Sequence, residues 1–431
     1  MLDRARALAA RAIEHIKQKS LRYWVSATLV FLATFFGSQK VYDLLSLGDV
    51  RASYFQILMD HPRVPKPGHV SLAFIDDNEY WNGEPDGRAP LKRDYLARIV
   101  DRLVAANATV IALDFDARLP NPESLLIPEA YKDETCKLIG AIKRGTAAGR
   151  SFVLSTPISF DAKGRYRRDT DIYQANGLCT PPSRPDSEQN PCGDNAAFTA
   201  EEKKKISCGY IALPYDILAI PGEIDIDNGT KLDSFGLAVA RAAGPGLIDN
   251  ALWQSDSTIR YGNYISEKVF EQAGARFSTA KLISAPDKIE LGGRYAVIVG
   301  AEWRSFAVGR GPGIDLHPTP LGMMPGALLH ANFAEAILDD RSAAAAPNWL
   351  VRILEVIFSL TAALFLAFAS GFWRKLRALF LLFVALRVVQ WVTLHTLAMF
   401  FDAFLPLLGL GLHALYERIL GMHEESSGKE V

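Results

Sequence analysis

The sequence predicts an α/β domain, a mixed or parallel sheet flanked by helices, held outside the cytoplasm on an α-helical membrane anchor of four transmembrane helices. Three observations carry this. Apolar runs lie toward both ends of the 431-residue chain beside clusters of Lys and Arg, β-rich runs alternate with helical patterns between them, and all four cysteines fall in that middle region. A mean hydropathy of +0.08 is high for a chain with 22% charged residues, as expected of apolar segments joined to a polar domain. The net charge of -1 provides no excess of Lys and Arg for phosphate, so no nucleic-acid partner is expected. The partner that composition does imply is the lipid bilayer.

The first element is a cytoplasmic amphipathic lead-in at 1–22, where Leu2, Ala5, Leu8, Ala12, Ile13 and Ile16 recur at helical spacing. The first transmembrane helix follows at 23–45. Arg4, Arg6, Arg11, Lys17, Lys19 and Arg22 mark its leading end as cytoplasmic, and no small-residue cleavage site follows it, so it reads as an uncleaved signal anchor. Three further apolar segments lie at 349–372, 378–401 and 403–420, before a cytoplasmic tail at 421–431. Arg374, Lys375 and Arg377 put the first of their connectors inside, which agrees with the basic N-terminal segment only if residues 46–346 lie outside. The expected location is therefore a bacterial inner membrane, crossed several times, with the main domain periplasmic or extracellular.

Within 46–346, VSLAFID at 70–76 reads as a strand, YLARIVDRLVAA at 95–106 as an amphipathic helix and TVIALDF at 109–115 as a strand paired parallel with the first. A helix at 133–148 and a strand at 151–156 extend the sheet. YAVIVG at 295–300 is a later strand, and PGALLHANFAEAIL at 325–338 a helix opened by proline in its first turn. Residues 160–207 are rich in Pro, Asp, Asn, Ser and Lys and read as a cysteine-bearing surface insertion. Cys136, Cys179, Cys192 and Cys208 lack zinc-ribbon or C-x-x-C spacing, so disulfides in an oxidising compartment are expected. Three pairings are open, with a weak preference for Cys179 with Cys192, which closes a short loop, and Cys136 with Cys208.

VSLAFIDD at 70–77, Pro90 and Arg93, TVIALDFD at 109–116, SFGLAVAR at 234–241, GGRYAVIVG at 292–300 and DLHPTPLGMMPGALLHA at 315–331, followed by three apolar segments, resemble the CHASE type 2 domains. The resemblance covers about 49–420. It implies an extracytoplasmic sensory domain that binds a ligand of unknown identity, and it suggests a homodimer. Members commonly continue into a cytoplasmic catalytic module. Here GMHEESSGKEV alone follows Leu420, so a separate cytoplasmic effector is expected. The chain also departs from the family in WNGEPDGRAPLKR at 81–93, where a tryptophan- and proline-rich turn is usual, and in its cysteine-bearing insertion.

Ligands of open α/β sheets sit beyond the carboxyl ends of the strands. Asp76 and Asp77 end the first strand and Asp114 and Asp116 the second, so four carboxylates are expected at one edge, where Asp315, His317 and Thr319 can join them. Such a cluster suits a cation or a cationic ligand, whereas Asp at these positions also caps helices and turns. Lys92 and Arg93 precede a helix, a place for an anion, and basic residues there also pair with acids on a solvated face. In the anchor, Arg387 must face other helices, with Glu417 and His413 as candidate partners; Arg352 and Glu355 can satisfy each other. No G-x-S-x-G, H-E-x-x-H or P-loop pattern occurs, so no enzyme and no cofactor is expected. A receptor is the leading function. The alternatives are a scaffold subunit of a membrane complex and an extracytoplasmic metal-dependent enzyme; four short segments with one buried charge offer little lining for a channel.

Overall fold

Strands that read as unbroken apolar runs need cover on both faces, and the sheet supplies it. The structure is a computed structural model that describes residues 48–60, 65–88, 90–119, 128–161, 164–179, 192–193, 197–213, 219–226, 229–254, 258–285, 289–303, 315–347, 349–351, 353–354, 357–358, 361 and 372–400. The chain opens with α1 (Gly48–Met59), β1 (Val70–Ile75), α2 (Asp77–Asn82), α3 (Arg93–Ala105) and β2 (Val110–Asp114). Next come α4 (Pro128–Ala147), β3 (Ser151–Thr156), β4 (Ile158–Phe160), β5 (Tyr166–Arg168), α5 (Ile172–Ala175), α6 (Ala200–Lys204) and β6 (Ile206–Tyr210). Then follow β7 (Glu223–Ile226), β8 (Thr230–Ser234), α7 (Phe235–Ala243), β9 (Arg260–Gly262), α8 (Glu267–Gln272), β10 (Arg276–Ser278) and α9 (Thr279–Ser284). The last are β11 (Ala296–Ala301), β12 (Leu316–Thr319), β13 (Gly322–Pro325), α10 (Gly326–Leu338), β14 (Ser342–Ala345), α11 (Phe372–Leu397) and β15 (Met399–Phe400).

The chain divides into two compact units, one from Met59 to Ser342 and the other from the segments on either side of it. In the first, the main sheet runs β10-β1-β11-β2-β3-β6-β8-β7, parallel throughout except for β7 against β8. Val70, Ala296 and Val110 stand level at its amino edge. The expected strands β1 and β2 are therefore parallel but not adjacent. β11 lies between them, because a strand buried on both faces pairs on both sides, and its partner comes from far along the chain.

Alternate residues point to opposite faces. Ile111 and Leu113 of β2 and Phe152 and Leu154 of β3 join one core cluster with Ile99 and Leu103 of α3 and Leu138 and Ile142 of α4. Val110, Ala112 and Val153 face the other way and are equally buried. That face is covered by α7, which packs on β2, β3 and β6, and by α10, which packs on β1 and β11. Helix α10 begins at Gly326, one residue later than expected. Pro325 is its N-cap and ends β13, held extended opposite Leu316 of β12.

The segment read as a surface insertion contributes to the core. Ile172, Tyr173 and Leu178 are buried in the cluster beneath α3 and α4, and β6 is an inner strand of the main sheet. In this segment the hairpin of β4 and β5 carries exposed rings, Phe160 and Tyr166. All four cysteines are disulfide-bonded, as Cys136–Cys192 and Cys179–Cys208. This corrects the short-loop pairing. Loop closure depends only weakly on length, and position decides: β6 sets Cys208 level with Leu154 of β3, while the buried Tyr173 and Leu178 bring Cys179 to the same core.

In the other unit, one helix among the described residues is long and apolar enough to cross a membrane. It is α11, whose residues Phe380–Leu397 have a mean hydropathy of 1.6. Phe380, Leu381, Val384, Val388, Trp391 and Val392 stand exposed on it. The helix stops before the expected end at 401: Ala398 has a φ of 48°, and Met399 and Phe400 then pair parallel with Ala344 and Ala345. The Arg387 guanidinium lies 4.2 Å from the centre of the Tyr54 ring of α1, and Phe55 meets Phe400 edge-on at 4.7 Å. Tyr54 was not among the expected partners of Arg387. Glu417 and His413, the segments at 1–22, 23–45, 403–420 and 421–431, and Arg352 and Glu355 with much of 349–372 lie outside the described residues.

Candidate functional site

The carboxyl edge of the sheet separates the expected carboxylates instead of gathering them. With β11 interposed, roughly 10 Å of sheet lies between β1 and β2. Asp76 caps α2, its Oδ1 accepting from the Glu79 backbone N–H at 2.8 Å, and Asp77 sits in that helix's first turn, exposed. Asp116 accepts from the Arg118 backbone N–H at 3.0 Å and pairs with the Arg118 guanidinium at 3.3 Å on the surface. Thr319 closes the β12–β13 turn, donating to the Gly322 carbonyl at 2.7 Å and accepting from Leu321 N–H at 3.2 Å. These four behave as capping and turn residues do.

Asp114 differs. It ends β2 level with Gly300 of β11, where the lack of a side chain lets Ala327 of α10 approach. The Asp315 carboxylate lies against Gly326 at the start of α10, where a Cβ would overlap it, and His317 Nε2 is 2.8 Å from Asp315 Oδ1. One turn into α10, His330 points its Nε2 toward Asp114 Oδ1 at 4.0 Å. Burial first, and then the charge of Asp315, hold the Asp114 carboxyl well above the usual carboxylate range. Burial lowers His330 to about 4 against the opposing pull of Asp315, so its imidazole is neutral near pH 7. Its Nδ1 is buried and has no hydrogen-bond partner among the described residues. The edge thus combines one half-exposed carboxylate, one buried carboxyl inclined to keep its proton, and one neutral imidazole with an unused nitrogen. Such a group can take a cation between its carboxyls or hydrogen-bond a polar ligand.

Two arrangements were not anticipated. His330 lies in the apolar run LLHANF and reads as core; only its place one turn past the helix start marked it. Glu79, buried behind Asp76, accepts hydrogen bonds from the hydroxyls of Tyr95, Thr279 and Ser278 and from Ala280 N–H, the last at 3.0 Å. It joins α2 to the start of α9 beside a cavity of about 300 Å³ lined also by Asp76 and Ile283. Burial, and next the bond to Glu79, push the Tyr95 phenol up, which keeps it a donor. The D-x-x-E spacing of Asp76 and Glu79 is a local pattern of helix starts and carries no trace of this long-range bond.

Arg93 is not on a solvated face. It is buried between α3 and α4, its guanidinium 3.9 Å from the Tyr131 ring centre and donating to Thr135 Oγ1 at 2.7 Å, and burial lowers its pKa to about 10. The nearby carboxylate, Glu134, is taken by Arg88 in a two-pronged pair, one arm at 2.6 Å. Lys92 donates to the Glu84 carbonyl at 2.8 Å. Among the described residues the one His and carboxylate group with metal-ligand spacing lies at the opposite, amino edge.

The CHASE2 domain family model matches residues 25–372. The chain belongs to the CHASE2 family. CHASE2 domains are extracytoplasmic sensory domains and are not a catalytic family, which fits both the mixed α/β sheet with flanking helices and the two disulfides. No curated protein and no solved structure matches the chain. The matched CHASE2 region includes Asp114, Asp315 and His330.

Proposed function

We propose that the chain is a membrane-anchored receptor whose CHASE2 domain binds a small cationic or hydrogen-bonding ligand at the carboxyl edge of its sheet. Its transmembrane helices then signal to a separate cytoplasmic effector. The observation that carries this is the buried Asp114 carboxyl, which shares its surroundings with Asp315 and has the Nε2 of the neutral His330 imidazole 4.0 Å away. Neighbouring carboxyls resist joint ionisation, and a cation between them removes that resistance, so affinity should rise with pH. A ligand can move a receptor between two states only through its differential affinity for them. The anchor we envisage has four transmembrane helices, at 23–45, 349–372, 378–401 and 403–420, with 1–22 and 421–431 on the cytoplasmic side of a bacterial inner membrane. The basic clusters at 4–22 and 374–377 support that orientation, and a homodimer would suit the signalling step.

The test is thermal unfolding of the full-length chain in detergent with a panel of amines, diamines, Mg²⁺ and Ca²⁺. At least one should raise the wild-type Tm by several degrees and lose that effect in Asp114→Asn, which mimics the protonated carboxyl and should fold. No shift with any of them, or an equal shift in the variant, overturns this reading.

A further inference from the structure

At the amino edge of the sheet, far along α10 from the Asp114 group, a second cluster joins the start of β1 to the end of that helix. A ring nitrogen of His69 and one carboxylate oxygen each from Glu335 and Asp339 lie within 4.8 Å of one another. Glu335 has 0% relative exposure. Its Oε1 accepts from the backbone N–H groups of His69 at 2.8 Å and Val70 at 2.6 Å, the Gly68 backbone also hydrogen-bonds the carboxylate, and its Oε2 is buried with no other hydrogen-bond partner among the described residues. A buried, unmatched carboxylate oxygen is costly to leave alone, and it is the atom of Glu335 free to take a further ligand. His69 Nε2 is 2.7 Å from Asp339 Oδ1.

The surroundings hold these groups as outer-shell partners hold metal ligands. The Tyr295 ring stacks on the His69 imidazole at 6.0 Å with an interplanar angle of 11°. Arg341 Nε donates to Asp339 Oδ2 at 2.7 Å, so that Oδ1 faces His69, and its own Nη1 donates to Asn263 Oδ1 at 2.7 Å. The Arg294 guanidinium, which feels the charge of Glu335, is turned to backbone carbonyls: those of Leu291 at 3.1 Å, Gly274 at 3.4 Å and, closer, Ala273. Neither arginine occupies Glu335 Oε2.

We propose that His69, Glu335 and Asp339 form a binding site for a divalent transition ion of the zinc or manganese class. One imidazole with two carboxylates is the donor set such ions accept, whereas Mg²⁺ and Ca²⁺ prefer oxygen alone. At bonds of about 2.1 Å two ligands of one ion stand about 3 to 4 Å apart, so small side-chain rotations suffice. Three protein ligands leave a position open, which makes the ion exchangeable. Bound there, it would clasp the first residue before β1 to the last turns of α10. The site is independent of the Asp114 edge and stands whether or not that edge binds a ligand.

The experiment strips the full-length chain in detergent with chelator and then titrates it with Zn²⁺, Mn²⁺ and, as a spectroscopic stand-in, Co²⁺. One ion per chain is expected, bound at least tenfold more weakly by His69→Gln and by Asp339→Asn, with the visible Co²⁺ band lost in His69→Gln. Both residues are partly exposed, with 27% relative side-chain exposure each, so both variants should fold, as read by gel filtration and near-UV circular dichroism. Substoichiometric binding by the wild type, or wild-type affinity and an unchanged Co²⁺ band in the variants, overturns the site.

Discussion

His330 is the side chain whose environment sets the sharpest expectation for pH. Its folded pKa, lowered to about 4 by burial, lies below the ordinary histidine value near 6.5. Its neutral form therefore contributes stability that is full above pH 6.5 and is lost as pH falls toward 4, at most about 3 kcal/mol for such a shift. Asp114 works in the other sense: its raised pKa favours the folded state below the ordinary carboxylate range, and that contribution is lost as pH rises through the folded value. His330→Gln should flatten the fall in Tm between pH 6.5 and pH 4; an unchanged profile would assign the acid sensitivity to other groups. Sequence singled out Asp114 because the end of an apolar strand in an α/β pattern is a known address for ligands. It missed His330 and Glu335 because a polar residue within LLHANFAEAIL looks like a tolerated exception until its partners are seen. It placed Arg93 next to a helix start correctly but exposed it, since nothing local tells that α4 will lie over it.

Elements with a strong local period were legible. β1, β2, β3, β11, α3 and α10 all stand within a few residues of where the apolar spacing put them. Those that depend on distant partners were not. The edge strand β7 and its neighbour β8 read as EIDI and TKLDS, too polar to signal strands of the main sheet, and β10 is the three residues RFS. The order of strands and the pairing of cysteines belong to the same category, since both are fixed by tertiary packing. Cys179–Cys208 ties the loop after α5 to the inner strand β6 across a sequence separation of 29. Loop-closure entropy for such a span is worth about 3.6 kcal/mol. The paired variant Cys179→Ser with Cys208→Ser should lower the Tm of the domain clearly while leaving Cys136–Cys192 intact, and an unchanged Tm would show that core packing alone holds β6.

At the scale of the whole molecule, the exported position of residues 59–342 governs the rest. An alkaline phosphatase fused near residue 250 should be active and one fused near residue 376 inactive; the reverse pattern would remove both the oxidising environment for the cysteines and the access of an outside ligand. The sequence offers this expectation because charge beside apolar runs is a local property. The division of the chain was less so: α1, through Leu58, belongs with the segment after Ser342, while the sequence placed the start of the outer domain at 46 and its end at 346.

The two disulfides interleave along the chain, 136 to 192 and 179 to 208. A peptide bond broken anywhere between Cys179 and Cys192 leaves one fragment carrying Cys136 and Cys179 and the other carrying Cys192 and Cys208. Both bridges then span the break. A protease that nicks this stretch outside the cytoplasm would create two polypeptides but not two molecules, and they would part only when both sulfur links are reduced.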